Sequence, residues 1–433
     1  MYDHYNGPFD PHFHLGKLSR SALARLGREY MLFNHLHDRS VMPIVVKRFS
    51  LQARTEVAVD EWRGSSPTHK RRNLKNLKIA GNGVSAILKG FQIDLGAPHH
   101  FLDLRFELVN ERLGYFWAEY CGPYDCINTL SGGHAGLVKE LCHDMEDTTF
   151  PTSAMAVNPK ANVLPIHRPP LPQGHTGPVC KWEVSISEKH RTLEPTGICR
   201  IVEGSRAAQF EFPPLTGPSS EGMDDYSGPF KPDFELEDLS RAALVRQCKE
   251  FMLDDHLLIR ACMLSIASRW GEGVMKEVAR EEWLSVAPLY VERLRKALGI
   301  QGDNMEAILK MLQVDPSFPH DYVDSGCRLV NEKRGYFWIN ECAAVAEGEP
   351  GGWLVLLCDA EAPGFEAAIE AVNPKARCRP VDPADLNSVA AKPKYAWELI
   401  IDDDAKPRDR SKVTKPAWAA QLTGFTHRPR RIE

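Results

Sequence analysis

Several signatures that would settle a class at once are missing from this chain. Its 433 residues contain no run of about 18 apolar positions, so hydropathy gives no membrane-spanning helix and no membrane partner is expected. Met1 to Asn6 holds no basic region followed by an apolar one and does not read as a secretory signal, which makes a cytoplasmic location the expectation. No Walker-type phosphate loop is present, Ser131-Gly132-Gly133-His134 being a glycine pair without the lysine, and no G-x-G-x-x-G follows a strand pattern, so no nucleotide cofactor is expected. A G-x-S-x-G nucleophile elbow is also missing. With a net charge of −5 the chain has no excess of positive charge to recommend nucleic acid as a partner. Two basic clusters, His69-Lys70-Arg71-Arg72 with Lys75 and Lys78, and the tail from Lys406 to Arg431, lack interleaved aromatics and read as solvated surface or flexible tail. Eleven cysteines, an odd count without an export signal, indicate reduced thiols rather than a disulfide framework.

What the chain does have is itself, twice. Gly7-Pro8-Phe9 returns as Gly228-Pro229-Phe230, Glu61-Trp62 as Glu282-Trp283, and Val109-Asn110-Glu111 with Gly114-Tyr115-Phe116-Trp117 as Val330-Asn331-Glu332 with Gly335-Tyr336-Phe337-Trp338. Each partner stands 221 positions on (7 and 228, 61 and 282, 117 and 338). A repeat of that length is a whole domain rather than a solenoid unit. It predicts two homologous domains in tandem: 1–213, a linker at 214–227 centred on the Pro-, Gly- and Ser-rich stretch Pro213 to Gly222, 228–403, and a basic polar tail at 404–433. Domains of that size bury enough surface to fold without disulfides.

Within each half the same order of elements is expected. Ser19 and Ser240 precede apolar residues at helical spacing and read as N-caps. A second helix is predicted over 274–298, with Trp283 on its apolar face. Asn110 to Gly114 and Asn331 to Gly335 read as hairpin turns between strands. A short helix over 365–371, stopped by Asn373-Pro374, and strands at 376–381 and 395–401 complete the unit. The fold class predicted is α+β, each domain having N-terminal helices followed by a small, mainly antiparallel sheet.

The leading helices with their "LS..AL" start, Glu-Trp on the second helix, the hairpin, the Cys-containing segment, the Asn-Pro stop and the terminal Trp182-Glu183 and Trp397-Glu398 strands together resemble the L-2-amino-thiazoline-4-carboxylic acid hydrolase-like proteins, one unit per half. The resemblance implies a small-molecule enzyme, a hydrolase opening a ring or C–N bond. It assigns no catalytic residue.

Candidate chemistry concentrates where the halves differ. Cys142-His143 corresponds to Cys358-Asp359, His167 to Asp382, and the His175 and Cys180 of the first half have no counterparts around Lys394-Tyr395-Ala396-Trp397. Cys142, His143, His167, His175 and Cys180 are therefore candidate ligands for zinc or iron, although their spacing matches no standard zinc motif and sequence neighbours on a strand would point apart. Cys142 is alternatively a nucleophile, with His99, in the recurrent Pro98-His99 and Pro319-His320, as its base. A small core-filling thiol is the plainer reading of Cys142. Glu61, beside Trp62, is a candidate general acid if desolvation raises its pKa. Glu111, with Glu332, sits in the hairpin turn, and Asp103, with Asp324, is a carboxylate that could orient a histidine. His35, repeated as His256, lies among apolar residues of the first helix as a packing or pocket-lining histidine. The stretch from Gly122 to Ala135 is five residues longer than its equivalent, the offset falling from 221 to 216 by Cys142, and is expected to be a loop that lids a pocket.

These features predict a cytoplasmic small-molecule enzyme, a hydrolase or lyase, with its working pocket in the first half and the halves packed as an intramolecular pseudo-dimer. Two alternatives stay open: a non-catalytic binding or sensor protein with an aromatic pocket of Tyr115, Trp117, Tyr336 and Trp338, and a zinc or iron metalloenzyme.

Overall fold

The computed structural model describes residues 1–214, 221–357, 364–386 and 393–407. The centre of the 214–227 linker, Cys358, Asp359 and the tail beyond residue 407 lie outside the described residues.

The order is helices α1 (Arg20–Arg48), α2 (Leu51–Asn76) and α3 (Val84–Gln92), strands β1 (Leu102–Asn110) and β2 (Leu113–Cys121), helices α4 (Gly122–Ser131), α5 (Ala135–Lys139) and α6 (Glu146–Met155), strands β3 (Ala161–His167) and β4 (Cys180–Ile186), and helices α7 (Gly197–Glu203) and α8 (Arg206–Gln209). The second half follows with α9 (Arg241–Trp270), α10 (Glu272–Leu298), α11 (Met305–Leu312), β5 (Ser325–Asn331), β6 (Arg334–Asn340), α12 (Trp353–Leu356), α13 (Glu366–Val372), β7 (Ala376–Pro380) and β8 (Pro393–Ile401). The class is mixed α+β. Both sheets are antiparallel and four-stranded, in the orders β1-β2-β4-β3 and β5-β6-β8-β7.

Local chemistry explains the boundaries. Ser19 Oγ accepts from Ala22 N–H at 3.1 Å and Ser240 Oγ from Ala243 N–H at 3.2 Å, so both expected caps start their helices. Asn110 Oδ1 accepts from Arg112 N–H at 2.8 Å and Asn331 Oδ1 from Lys333 N–H at 2.9 Å, which is why asparagine stands at each hairpin turn. The glycine of Gly-Tyr-Phe-Trp lets a helix lie on the sheet: a Cβ on Gly114 would stand 2.8 Å from Val84 on α3, and one on Gly335 3.0 Å from Met305 on α11.

The long helices form the middle of the molecule. α1 packs along both α9 and α10, and α2 along α9, so the two halves share one helical core. Their N-terminal arms cross over. Tyr5 N–H donates to Leu298 O at 2.6 Å and its hydroxyl to Gln313 at 2.8 Å; Tyr226, 221 positions on, donates to Leu77 O at 2.7 Å and to Gln92 at 3.0 Å. The Gly-Pro-Phe repeat has its explanation here, since Gly7 O accepts from Lys310 and Gly228 O from Lys89. Reciprocal ion pairs also cross: Arg72 with Glu250 at 2.8 Å and Arg293 with Glu29 at 2.6 Å. Among the described residues no helix is long and apolar enough to cross a membrane.

Candidate functional site

The first half contains a chamber of ≈ 490 Å³ between α1, α2, α4, α5 and α6, within the range of about 300–1,000 Å³ usual for small-molecule sites. Its wall is mainly apolar, with Met42, Trp62, Leu137, Leu141, Met145 and Phe150, and its polar groups include His35, Asp38, Arg39, Lys47, Arg54 and Glu146. A smaller recess of ≈ 70 Å³ shares Trp62, Gly96, Cys121 and Glu146 with it and reaches Asp94. The 122–135 segment folds as helix α4 and the start of α5 instead of the expected loop, and it walls the chamber through Pro123, Cys126 and Ile127. Pro123 stands in the first turn of α4, where its missing N–H costs nothing, and left-handed Gly132 closes the helix.

Helix α1 sets the polar side, because His35 and Arg39 are one turn apart and face the same way. His35 is 7% exposed, and burial, with the Arg39 guanidinium second, pushes it down to about 3, so the ring is neutral at pH 7. Its Nε2 and Arg39 Nη2 have no hydrogen-bond partner among the described residues. Asp38 and Glu61 lie carboxyl to carboxyl in the core; burial raises Asp38, and burial with the Asp38 charge raises Glu61 well above the carboxylate range. Two carboxyls in contact without solvent cannot both ionise, so this pair holds a proton. Burial likewise lifts Glu146 to about 8 and, against its ion pair with Arg54, Glu140 to about 7. At the back, Lys70 Nζ is 2.6 Å from Asp94. Lys70 and His69 are each 1% exposed, which corrects the expectation of a solvated basic cluster there: α2 is covered on one side by α9 and on another by α6, leaving only the outer residues such as Lys75 in water.

The residues singled out by the sequence end up apart. Cys142 lies on a π-helical turn (Glu140–Met145) rather than a loop or strand end, is 3% exposed, and burial pushes its thiol far above the thiolate range, the reverse of what a nucleophile needs. His143 Nε2 is spent on Pro169 O at 2.8 Å. His99 is not poised as a base for Cys142: its Nδ1 meets Glu235 at 3.0 Å and its Nε2 Gln92 O at 2.6 Å, clamping the second half's arm onto the first half. Glu111 accepts from Ser85 at 2.7 Å and caps α3. Asp103 is bound by Arg105 at 2.8 Å. His167 and His175 lie 5.3 Å apart, ring to ring, but each directs Nε2 to Pro178 O, at 3.0 and 2.9 Å, and Cys180 is buried in the sheet. Among the described residues no three His, Cys, Asp or Glu side chains converge as a metal-ligand set, so the proposed zinc or iron donors do not assemble. Tyr115 and Trp117 lie on β2 of one sheet and Tyr336 and Trp338 on β6 of the other. Of the candidates, Glu61 stands behind the chamber through Asp38, and His35 lines it. Asp38, Arg39, Glu146 and Asp94 were missed. The one available signal was the i, i+3, i+4 spacing of His35, Asp38 and Arg39 along helix α1.

The corresponding place in the second half is filled. Only ≈ 20 Å³ remains among His256, Trp283, Trp353 and Leu357, and the Trp353 indole, 2% exposed, occupies the space and donates to Ser317 O at 2.8 Å. No family model, curated protein or solved structure matches the chain.

Proposed function

We propose that the chain is a small-molecule enzyme, a hydrolase or lyase cleaving a C–N or ring bond, with its working site in the first-half chamber and a second half that is structural. The observation that carries this reading is an accessible chamber next to a proton-holding Asp38–Glu61 pair and a neutral His35 whose Nε2 is unpartnered. Perturbed acids and bases converging on the largest cavity are the usual mark of a catalytic site. In a hydrolysis, His35 Nε2 takes a proton from water as its oxygen bonds to the substrate carbon, and Asp38 gives a proton to the departing nitrogen. Glu61 acts through Asp38: it is the member of the pair that holds the proton and passes it on to Asp38. The likeness to L-2-amino-thiazoline-4-carboxylic acid hydrolase-like proteins supports the same reaction class.

Duplication and fusion of an ancestral domain, packed as a pseudo-dimer, is supported by the shared 221-residue offset of the sequence motifs and of the arm contacts. Cytoplasmic residence is supported by ten unpaired cysteines among the described residues.

The test is turnover of a panel of cyclic amides and related heterocycles. Asp38→Asn and His35→Ala should each abolish it at unchanged fold, while His99→Ala leaves the chemical step intact. A ligand that binds the chamber but is recovered unchanged would favour the non-catalytic binding reading, which the mainly apolar wall also suits.

A further inference from the structure

The second half carries, covalently, a clue to what the first-half chamber takes. Glu347 reaches into the filled site and places Oε1 3.3 Å from His256 Nε2 and 3.5 Å from Arg260 Nη1, while Tyr322 O–H and Trp353 N–H also donate to its carboxylate. Glu347 is 1% exposed by its side chain and His256 5%, so this carboxylate is the buried counter-ion of the His–Arg pair on α9.

Helix α1 presents the same pair, His35 and Arg39, 221 positions earlier than His256 and Arg260. Among the described residues no carboxylate meets His35 Nε2 or Arg39 Nη2. Glu347 falls in the stretch whose first-half equivalent, Gly122 to Ala135, is five residues longer, and Pro123, Cys126 and Ile127 of that stretch line the chamber. Trp353 stands four residues before Leu357, and the residue four before Leu141 is Leu137, also on the chamber wall. The indole is thus replaced by a smaller side chain, no carboxylate is bonded to His35 Nε2 or Arg39 Nη2, and the chamber is open beside them.

Charge points the same way. Arg39 and Lys47 line the chamber, whereas burial keeps protons on the Asp38–Glu61 pair and on Glu146, and Glu140 is occupied by Arg54. A guanidinium with an unpartnered Nη2 beside a 93%-buried imidazole with an unpartnered Nε2 leaves hydrogen-bonding capacity that desolvation makes costly to leave unused. We propose that the chamber binds an organic carboxylate whose head group pairs with Arg39, beside the His35 ring, as Glu347 pairs with Arg260, and whose apolar body fills the volume that Trp353 fills in the second half. This deepens the reading above by naming the substrate class, and it rests on the chamber being the working site. Phe101 stands where Tyr322 supplies a hydroxyl, so the ligand's head has one donor fewer than Glu347 and depends more on Arg39.

The experiment is calorimetric titration of the full chain with 4-phenylbutyrate and with its neutral counterpart 4-phenylbutan-1-ol. The acid should bind at least tenfold more tightly than the alcohol, and Arg39→Met should erase that preference. Because Arg39 Nη2 is unpartnered the variant should fold; Leu137→Trp, which restores the indole's bulk, is the second variant and should remove binding of both compounds. Equal affinity for acid and alcohol, or a preference that survives in Arg39→Met, would overturn the carboxylate assignment while leaving the chamber a binding site. Binding of neither compound to the unsubstituted chain would instead count against the chamber as the working site.

Discussion

Glu61 on α2 and Glu282 on α10 occupy equivalent places in the two halves, yet one is kept as an ion-pair partner and the other as a proton reservoir. Glu282 meets His37 in a buried contact, both side chains being at most 2% exposed. The residue equivalent to His37 is Leu258, so Glu61 has no imidazole; its neighbour is Asp38, where the second half has Ile259. Two exchanges on one helical face, together with the loss of Glu347 and Trp353 equivalents, turn a sealed and compensated site into an open and titratable one. On the proposed division of labour, the first half keeps an electrostatically costly arrangement while the other half's filled core carries the stability.

Breaking the sealed side should have the largest effect. Glu347→Ala leaves His256 and Arg260 without their counter-ion and should cost about 3–5 kcal/mol in urea unfolding, whereas Arg39→Met in the first half should cost under about 1 kcal/mol. His37→Leu copies the first half's arrangement into the second and leaves Glu282 buried and alone, a loss of about 3 kcal/mol that His37→Gln should partly recover.

Glu61→Gln works in the opposite direction. Glu61 has a folded-state pKa raised above its unfolded value, so its favourable contribution is complete below about pH 4.3 and is lost as pH rises towards the folded pKa. At pH 7 the glutamine should therefore stabilise the fold by about 1–3 kcal/mol while turnover falls. Equal stability of the two proteins from pH 4 to pH 8 would contradict the raised pKa. The smallest effect concerns the crossing arm. Burial pushes Glu235 up, but His99 and then His100 hold it far below the usual carboxylate range. Its contribution is present above about pH 4.3 and is lost as pH falls below that, so Glu235→Gln should flatten the acid limb of the stability curve by about 1 kcal/mol.

The caps, hairpins and sheet strands were legible because each rests on a local rule: a serine before an apolar periodicity, an asparagine at a turn, alternation along a strand. The chamber was not, for a physical reason that Lys70 illustrates. A lysine in a basic run reads as solvated, but α2 is enclosed by α9 from the other half and by α6, and neither neighbour is visible from the run itself. Likewise the glycines between Gly122 and Ala135 suggested a loop, while Pro123 and the positive-φ Gly132 start and end a helix instead. Counting imidazoles and thiols led to Cys142 and His175, because soft ligands are conspicuous by type; the groups that line the cavity became evident only through what the second half places opposite them. The sequence suggested that desolvation would raise the Glu61 carboxyl, and burial does so, but its second cause, Asp38, lies on another helix and was invisible.

The most direct test of an open first half against a filled second half is the stoichiometry of 4-phenylbutyrate binding in the unsubstituted chain, Leu137→Trp and Trp353→Leu. One molecule per chain is expected in the first and third proteins and none in Leu137→Trp. Binding that persists in Leu137→Trp, or that is lost only in Trp353→Leu, would place the site elsewhere and contradict the division of labour between the halves.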